Sequence, residues 1–456
     1  MNYELCINDK EFIKKHLKDD VNKLALSKFP EDIDKQFVIR QIQARQALSK
    51  KLPSWAENDE LIFPKKLSLE QCSSELTAKY KASLSTELVE ERLSTKEHEN
   101  TRKEFSADSC GLVDKERVLV DLTGGMGVDT AFLSDNFDKT FYVEMQEELC
   151  EIAKHNFKVL NKNIEVVNDN AEHFLTICDE VDCIYLDPAR RDEYGRKMVS
   201  LHDCSPDVVE LHDLLLEKAR HVLIKVSPML DIEMVKKELK DIAEIHVVAV
   251  RNECKEVLIE IKNLRTSEPQ NLSISATDLR EGWNFSFNED EELNAQWTLA
   301  DGVGKYLYEP GVACMKAGCF KLLSQRYGLD KLHRNSHLYT SDELISDFPG
   351  RIFEVINVVP FDKKTKKSIW EIQSFEDAKT QRHKDTKNDY VVSENSATLR
   401  LCDSAASKKV SVATRNFPLS ADELRKNLGL QDGNEYYVFG TTMKGEKKVV
   451  VLAKKK

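Results

Sequence analysis

Between residues 118 and 261 the chain repeats one short pattern: a brief apolar run, a turn, then a stretch with helical spacing. The runs are VLVDL (118–122), TFYVE (140–144), IEVVN (164–168), CIYLD (183–187) and HVLIKV (221–226). Segments such as EELCEIAKHNFKVLN (147–161) lie between them, with apolar residues at helical intervals. Strands that alternate with helices in this way pair in parallel, so the repeat predicts an α/β sheet wrapped by helices. The series ends differently. IHVVAV (245–250) and EVLIEI (256–261) are separated only by RNECK. That gap is too short for a crossover helix, so the last two strands are expected to be antiparallel.

The flanks differ in texture. Residues 1–105 read as a helical N-terminal domain, with Asn8 expected to cap DKEFIKKHL. Ser68 and Gln71 are expected to form a capping box for SLEQCSSELTAKYKASL. The sheet domain is placed at 106–265. Residues 266–345 read as a connector followed by a small ferredoxin-like or helical piece, the polar stretch 263–300 being the connector and a helix starting from Pro310. Residues 346–456 read as a small α+β domain, with strands over RIFEVINVV, KKVSVATRNF, EYYVFGTT and KKVVVLAK. Its helix, LSADELRKNLGL, is expected to begin at Ser420 with Glu423 completing a capping box.

Composition narrows the classes. The 456 residues carry a formal net charge of −12, which excludes a basic coat over the whole surface. There is no run of about 18 apolar residues to span a membrane. The N-terminus, MNYELCINDKEFIKK, lacks the apolar centre of a signal peptide, so a cytoplasmic protein is expected. The 11 cysteines are scattered and contain no C-x-x-C. The pairs Cys178/Cys183 and Cys314/Cys319 have no second ligand pair nearby for zinc, so reduced thiols and no metal are expected.

The chemistry concentrates in VLVDLTGGMGVDT. A strand ends at Asp121, and the turn carries Thr123, Gly124, Gly125 and Gly127 before a helix beginning near Val128, with Asp129 in its first turn. Glycines there let backbone approach a ligand. Thr130 stands where a dinucleotide fingerprint has its third glycine, and an acid beside the loop repels pyrophosphate, so a dehydrogenase is poorly supported. Glu144, after the second strand, is placed to hold two ribose hydroxyls. Met145 follows it. Asp169, after the third strand, is placed for an adenine amino group. Acids after three successive strands of one parallel sheet share one edge.

On these residues the stretch 110–265 resembles the class I S-adenosylmethionine methyltransferases, with their Rossmann-like sheet and terminal antiparallel hairpin. The resemblance implies S-adenosyl-L-methionine as cofactor, with Asp121 and the Gly124–Gly127 backbone at its methionine end, Glu144 at the ribose, and Asp169 with Asn170 at the adenine. It also implies that the turn after strand four, in CIYLDPARRDEYGR (183–196), faces the transferable methyl group. Asp187 and Pro188 match the D-P-P motif of nitrogen methyltransferases, but Ala189 and Arg190 replace its second proline and aromatic. Arg190 could stack on a base, contact phosphate or form a salt bridge. Asp187, Pro188 and Arg190 are therefore the candidate catalytic residues. Arg191, Lys225 and Tyr80 are candidate substrate contacts, with Ser73 and Ser74 near the mouth. His155, in an A-x-H-N sequence, reads as a packing residue.

Over nearly its whole length the chain resembles a bacterial methyltransferase family with a THUMP-like C-terminal domain. The residues that carry this are EQCSSELTAKYKA (70–82), DLTGGMGVDT (121–130), DPARR (187–191), YLYEPGVACMKAG (306–318) and RNFPLSADELRKNLGL (415–430). THUMP-type domains imply RNA as partner. Residues 401–456 hold 11 Lys/Arg against 6 Asp/Glu, in keeping with a phosphate-contacting surface. The expected function is methylation of a base in structured RNA, either tRNA or rRNA. The alternatives are methylation of protein or a small molecule, or RNA binding without catalysis.

Overall fold

The computed structural model describes residues 5–86, 116–190, 200–262, 271–369 and 409–456. The chain forms two compact units, residues 1–248 with 255–272, and residues 249–254 with 273–456.

In the first unit the strands are β1 (Val118–Asp121), β2 (Lys139–Val143), β3 (Ile164–Val167), β4 (Val181–Leu186), β5 (Ala219–Val226), β6 (Ile242–Val250) and β7 (Glu253–Lys262). Their spatial order is β3-β2-β1-β4-β5-β7-β6. β1 pairs in parallel with β2 and β4, β2 with β3, and β4 with β5. β7 runs antiparallel to β5. The hairpin joining β6 to β7 turns on Arg251 and Asn252, both at positive φ. Two such residues suit the tight turns whose twist matches paired strands. The sheet is thus the Rossmann-like class I methyltransferase arrangement. Strand order reverses between β1 and β4, which opens a crevice at their carboxyl ends.

The N-terminal helices pack against the sheet's own helices. Leu48, Leu52, Trp55 and Phe63 share a buried cluster with Met126, Val128, Tyr142 and Phe157. Polar side chains stitch the same contact. The amide of buried Asn156 accepts from Ile62 N at 2.9 Å and donates to Ile62 O at 2.8 Å. Arg45 donates to the carbonyls of Asn58, Asp59 and Leu61, and burial pushes its pKa down to about 10.

Several local expectations are corrected. Cys6, not Asn8, caps the helix Ile7–His16, through Asp9 N. Ser68 lies inside the helix Lys66–Gln71, and a second helix, 75–86, opens after Ser74, whose hydroxyl accepts from Thr77 N at 3.2 Å. The paired serines stop one helix and cap the next.

The second unit begins with a hairpin, β8 (Ser273–Asp278) and β9 (Trp283–Asn288), followed by the helix Glu289–Asn294. The stretch read as a connector therefore holds a hairpin and a helix from Ser273 on, and its residues 263–270 lie outside the described residues. Alternating Phe285 and Phe287 turn inward while polar neighbours face out, a short period-two signal that the acidic run NEDEE masked. β10 (Tyr306–Pro310), β11 (Asp330–Lys331), β12 (Tyr339–Ser341), β13 (Gly350–Pro360), β14 (Lys409–Arg415), β15 (Gln431–Met443) and β16 (Lys447–Lys455) form a second sheet in the order β11-β12-β10-β13-β16-β15-β14. Pro310 ends β10, and the helix after it is Val312–Ala317. The helix Ala421–Leu428 has the expected Ser420–Glu423 capping box.

Candidate active site

The glycine loop runs from the end of β1 into the helix Val128–Leu133, and it rests on aromatic rings. A Cβ added at Gly124 would lie 2.2 Å from the ring of Tyr142. Gly127, at φ +79°, would drive one to 2.7 Å from Phe157. Those two rings meet edge to face with centroids 5.4 Å apart, and the Tyr142 hydroxyl donates to Gly125 O at 2.6 Å. Bulk beneath the loop is thus exchanged for open space above it.

Asp121 is buried. Its carboxylate accepts from Thr130 Oγ1 at 2.5 Å and from Thr123 N at 3.0 Å. Burial pushes its pKa up to about 7, against the pull of those hydrogen bonds, and the nearby carboxylates of Asp129 and Asp187 push the same way. Glu144 is also buried. Gly125 N donates to its Oε2 and Gln146 N to its Oε1, each at 2.9 Å. A carboxylate offers about four lone-pair sites, so acceptor capacity remains toward the cavity. Asp169 accepts from Asn170 N at 2.8 Å and meets His173 Nδ1 at 2.6 Å, a contact that lowers its pKa. Asn170 caps the helix Ala171–Ile177 by accepting from His173 N. Met145, 73 % exposed, is an apolar lip.

The opposite end of the cavity is built from ions. Lys225, near the end of β5, places Nζ 2.5 Å from Asp187 Oδ2 and 3.3 Å from Ser73 Oγ. Asp129 Oδ2 accepts from Ser73 Oγ at 2.7 Å and from Tyr185 OH at 2.8 Å. Lys81 Nζ lies 3.3 Å from Asp129 Oδ1 and 2.6 Å from Glu256 Oε1. Lys81 is fully buried and Glu256 nearly so. Burial would raise Asp129, but Lys81 and Lys225 hold its pKa below the usual value. Burial would lower Lys225, but Asp187, Asp129 and Glu256 raise it instead, so its ammonium persists. Thr123 ties the two ends together. Its Oγ1 accepts from Asp187 N at 2.6 Å, while Asp121 Oδ1 lies 3.5 Å from the same oxygen.

These groups face one cavity of about 660 Å³. Every residue expected at the cofactor lines it, from Asp121, Thr123, Gly124, Gly125, Gly127 and Asp129 to Glu144, Met145, Asp169 and Asn170. So do Asp187, Pro188, Ser73 and Lys225. Tyr80 is not brought there. Its hydroxyl pairs with His246 Nδ1 at 3.2 Å, while the next residue, Lys81, reaches Asp129 from within the core. Ser74 is spent on its cap. His155 Nε2 meets Glu60 O at 2.8 Å, a packing contact. The backbone of Arg190 pairs with Cys204 in a two-residue ladder; its side chain and the whole of Arg191 lie outside the described residues. Sequence reasoning missed Lys81, Tyr185 and Glu256. Strand alternation could have found Tyr185, two residues before Asp187 on the same face.

Comparison with known proteins gives the family of the chain. Residues 306–349 match a ferredoxin-like domain family, and residues 391–455 match a THUMP domain-like family. No functionally curated protein matches the chain. The crystal structure of a candidate methyltransferase from Porphyromonas gingivalis W83 aligns over 98% of both chains, at 31% identity and TM-score 0.75. The chain belongs to that bacterial family of class I methyltransferases with a THUMP-like C-terminal domain. Family members and more distant methyltransferases are thus similar to it on different scales. An rRNA methylase from Streptococcus thermophilus aligns with 33% of this methyltransferase-family chain and 88% of its own, at 18% identity and TM-score 0.26. A candidate methyltransferase from Streptococcus mutans, solved with SAH, covers 33% and 89% at 17% identity and TM-score 0.26.

Proposed function

We propose that the protein is a cytoplasmic, S-adenosylmethionine-dependent methyltransferase that acts on a base in structured RNA. The observation that carries the cofactor reading is the spare acceptor capacity of Glu144 beside a loop kept free of side chains by Tyr142 and Phe157. A ribose diol supplies two donors to that carboxylate, with hydrogen bonds of the charge-assisted kind. Asp121 would favour the cationic amino-acid end, Met145 would cover the adenine face, and Asp169 with Asn170 would meet its amino group. S-adenosylmethionine, when bound, supplies an electrophilic methyl group. The chain's own residues then do the rest: the β4 turn with Asp187 and Pro188 orients the acceptor atom in line, and the cavity wall keeps bulk water from competing. Arg190 and Arg191 stand in that turn as candidate contacts for base or phosphate.

RNA as the substrate rests on the THUMP domain-like match and on the basic excess in the last 56 residues, 11 Lys/Arg against 6 Asp/Glu. Two measurements test the proposal. Calorimetry should show binding of S-adenosylmethionine and S-adenosylhomocysteine; preference for NAD overturns the cofactor reading. Incubation with methyl-labelled cofactor and fractionated cellular RNA and protein should label RNA; label confined to protein or small molecules overturns the substrate.

A further inference from the structure

What enters opposite the cofactor is written in the spare valences of Lys225 and Asp187, and the inference rests on the methyl-transfer reading. The Lys225 ammonium has three hydrogens. Asp187 Oδ2, at 2.5 Å, and Ser73 Oγ, at 3.3 Å, take two of them. Asp129 Oδ2, at 4.0 Å, is too far to take the third, which has no hydrogen-bond partner among the described residues. Asp187 is complementary. Oδ2 holds Lys225, while Oδ1 accepts no hydrogen bond among those residues, and the side chain is 37% exposed. One open donor and one open acceptor therefore stand side by side on the cavity wall, at the ends of adjacent strands β4 and β5.

We propose that Lys225 and Asp187 form a two-point reader for a neutral acceptor that carries a hydrogen-bond donor beside a hydrogen-bond acceptor, the amide or amidine edge of a nucleobase. Asp187 accepts from the N–H of that edge, and Lys225 donates to its ring nitrogen or carbonyl oxygen. A carboxylate substrate meets the charge of Asp187, and a protonated amine meets that of Lys225. A ribose hydroxyl donates and accepts from one oxygen, and the position of the label separates it from a base edge. The remaining ions serve the reader. Lys81 pairs with Asp129 and Glu256 from within the core, and Asp129 lies farther from Lys225 than Asp187 does. Ser73 accepts from both ammonium groups while donating to Asp129, which fixes where the Lys225 hydrogens point. Lys81 and Ser73 are thus positioning residues, and both come from the N-terminal helical segment. The floor of the acceptor site is not built by the sheet alone.

The test uses the full chain, methyl-labelled S-adenosylmethionine, and fractionated cellular RNA and protein, with digestion of labelled RNA to nucleosides. Label on a base nitrogen is expected. Label on a ribose hydroxyl or on a protein side chain overturns the reader while leaving methyl transfer intact. Failure of the wild-type chain to bind S-adenosylmethionine overturns the underlying cofactor reading instead, and the two failures are separable by calorimetry. With the labelled RNA as substrate, Lys225→Met should raise the acceptor KM at least tenfold, with cofactor Kd within twofold of wild type. Lys225→Arg, which keeps donors, should recover part of that loss. An unchanged acceptor KM in Lys225→Met, or a fall in kcat and melting temperature without a KM change, overturns the assignment. Should Lys225→Met fail to fold, the position of the label still decides.

Discussion

At the proposed cofactor end of the cavity, the groups come from three consecutive strand ends, and backbone amides hold them: Gly125 N and Gln146 N on Glu144, Thr123 N on Asp121, Asn170 N on Asp169. At the acceptor end the groups are side chains from Ser73 to Glu256, and they hold one another through charge: Lys81, Asp129, Lys225, Asp187 and Glu256. Removing a group from a backbone-held frame costs the ligand its contact. Removing one from a buried ionic frame leaves an opposite charge stranded, and the fold bears the cost. Affinity and stability should therefore separate between the two ends.

The largest effect is expected at Lys81. Lys81→Met strands Asp129 and Glu256, and breaking a buried ion pair by removing one partner costs about 3–5 kcal/mol. Denaturant unfolding should show that loss, and Lys81→Met with Glu256→Gln should recover part of it. A Lys81→Met chain as stable as wild type would remove the distinction between the ends. Next comes Glu144→Ala, which should lose the proposed charge-assisted bonds to a ribose, about 1.5–3 kcal/mol each with less than additive total loss. Calorimetry should show weaker S-adenosylmethionine binding, about tenfold or more, in a chain that still folds.

A smaller effect depends on pH. Asp121 has its pKa pushed up to about 7 by burial, so the folded chain holds this proton more tightly than the unfolded one. Its stabilising contribution is therefore present at low pH and is lost as pH rises through about 7. A cationic ligand favours the ionised form. Affinity for S-adenosylmethionine should thus rise as pH climbs from about 5.5 toward 7, by at most about tenfold per unit, and proton release should accompany binding below 7. Asp121→Asn should flatten that slope. The smallest effect lies in the second unit. Ser420→Ala removes the cap of Ala421–Leu428 and should cost about 1 kcal/mol in unfolding, with no change in cofactor Kd.

The same contrast explains what could be read in the sequence. The glycine loop and the acids after β1, β2 and β3 are local signals, because a parallel sheet brings successive strand ends to one edge whatever lies between. The hairpin was legible from a gap too short for a helix. Lys81 and Glu256 were not legible. One lies in a helix whose start the sequence misplaces by reading through Ser73–Ser74, and the other is a charge inside a strand that looks like an ordinary polar face. Their pairing depends on the N-terminal helices docking beside β7, a tertiary fact with no local trace. Asn156 hid for a similar reason: it looks like a surface amide and instead completes the backbone bonds of Ile62.

Thr123 has a consequence in time. Its hydroxyl oxygen receives the Asp187 amide hydrogen at 2.6 Å, and it belongs to the loop proposed to hold the cofactor. On that reading, a loop set by bound cofactor also sets the β4 turn, and initial rates should show a compulsory order, with cofactor entering ahead of acceptor and methylated product leaving ahead of spent cofactor. Thr123→Val keeps the shape but removes the hydroxyl, and initial-rate and product-inhibition patterns should then shift toward random order.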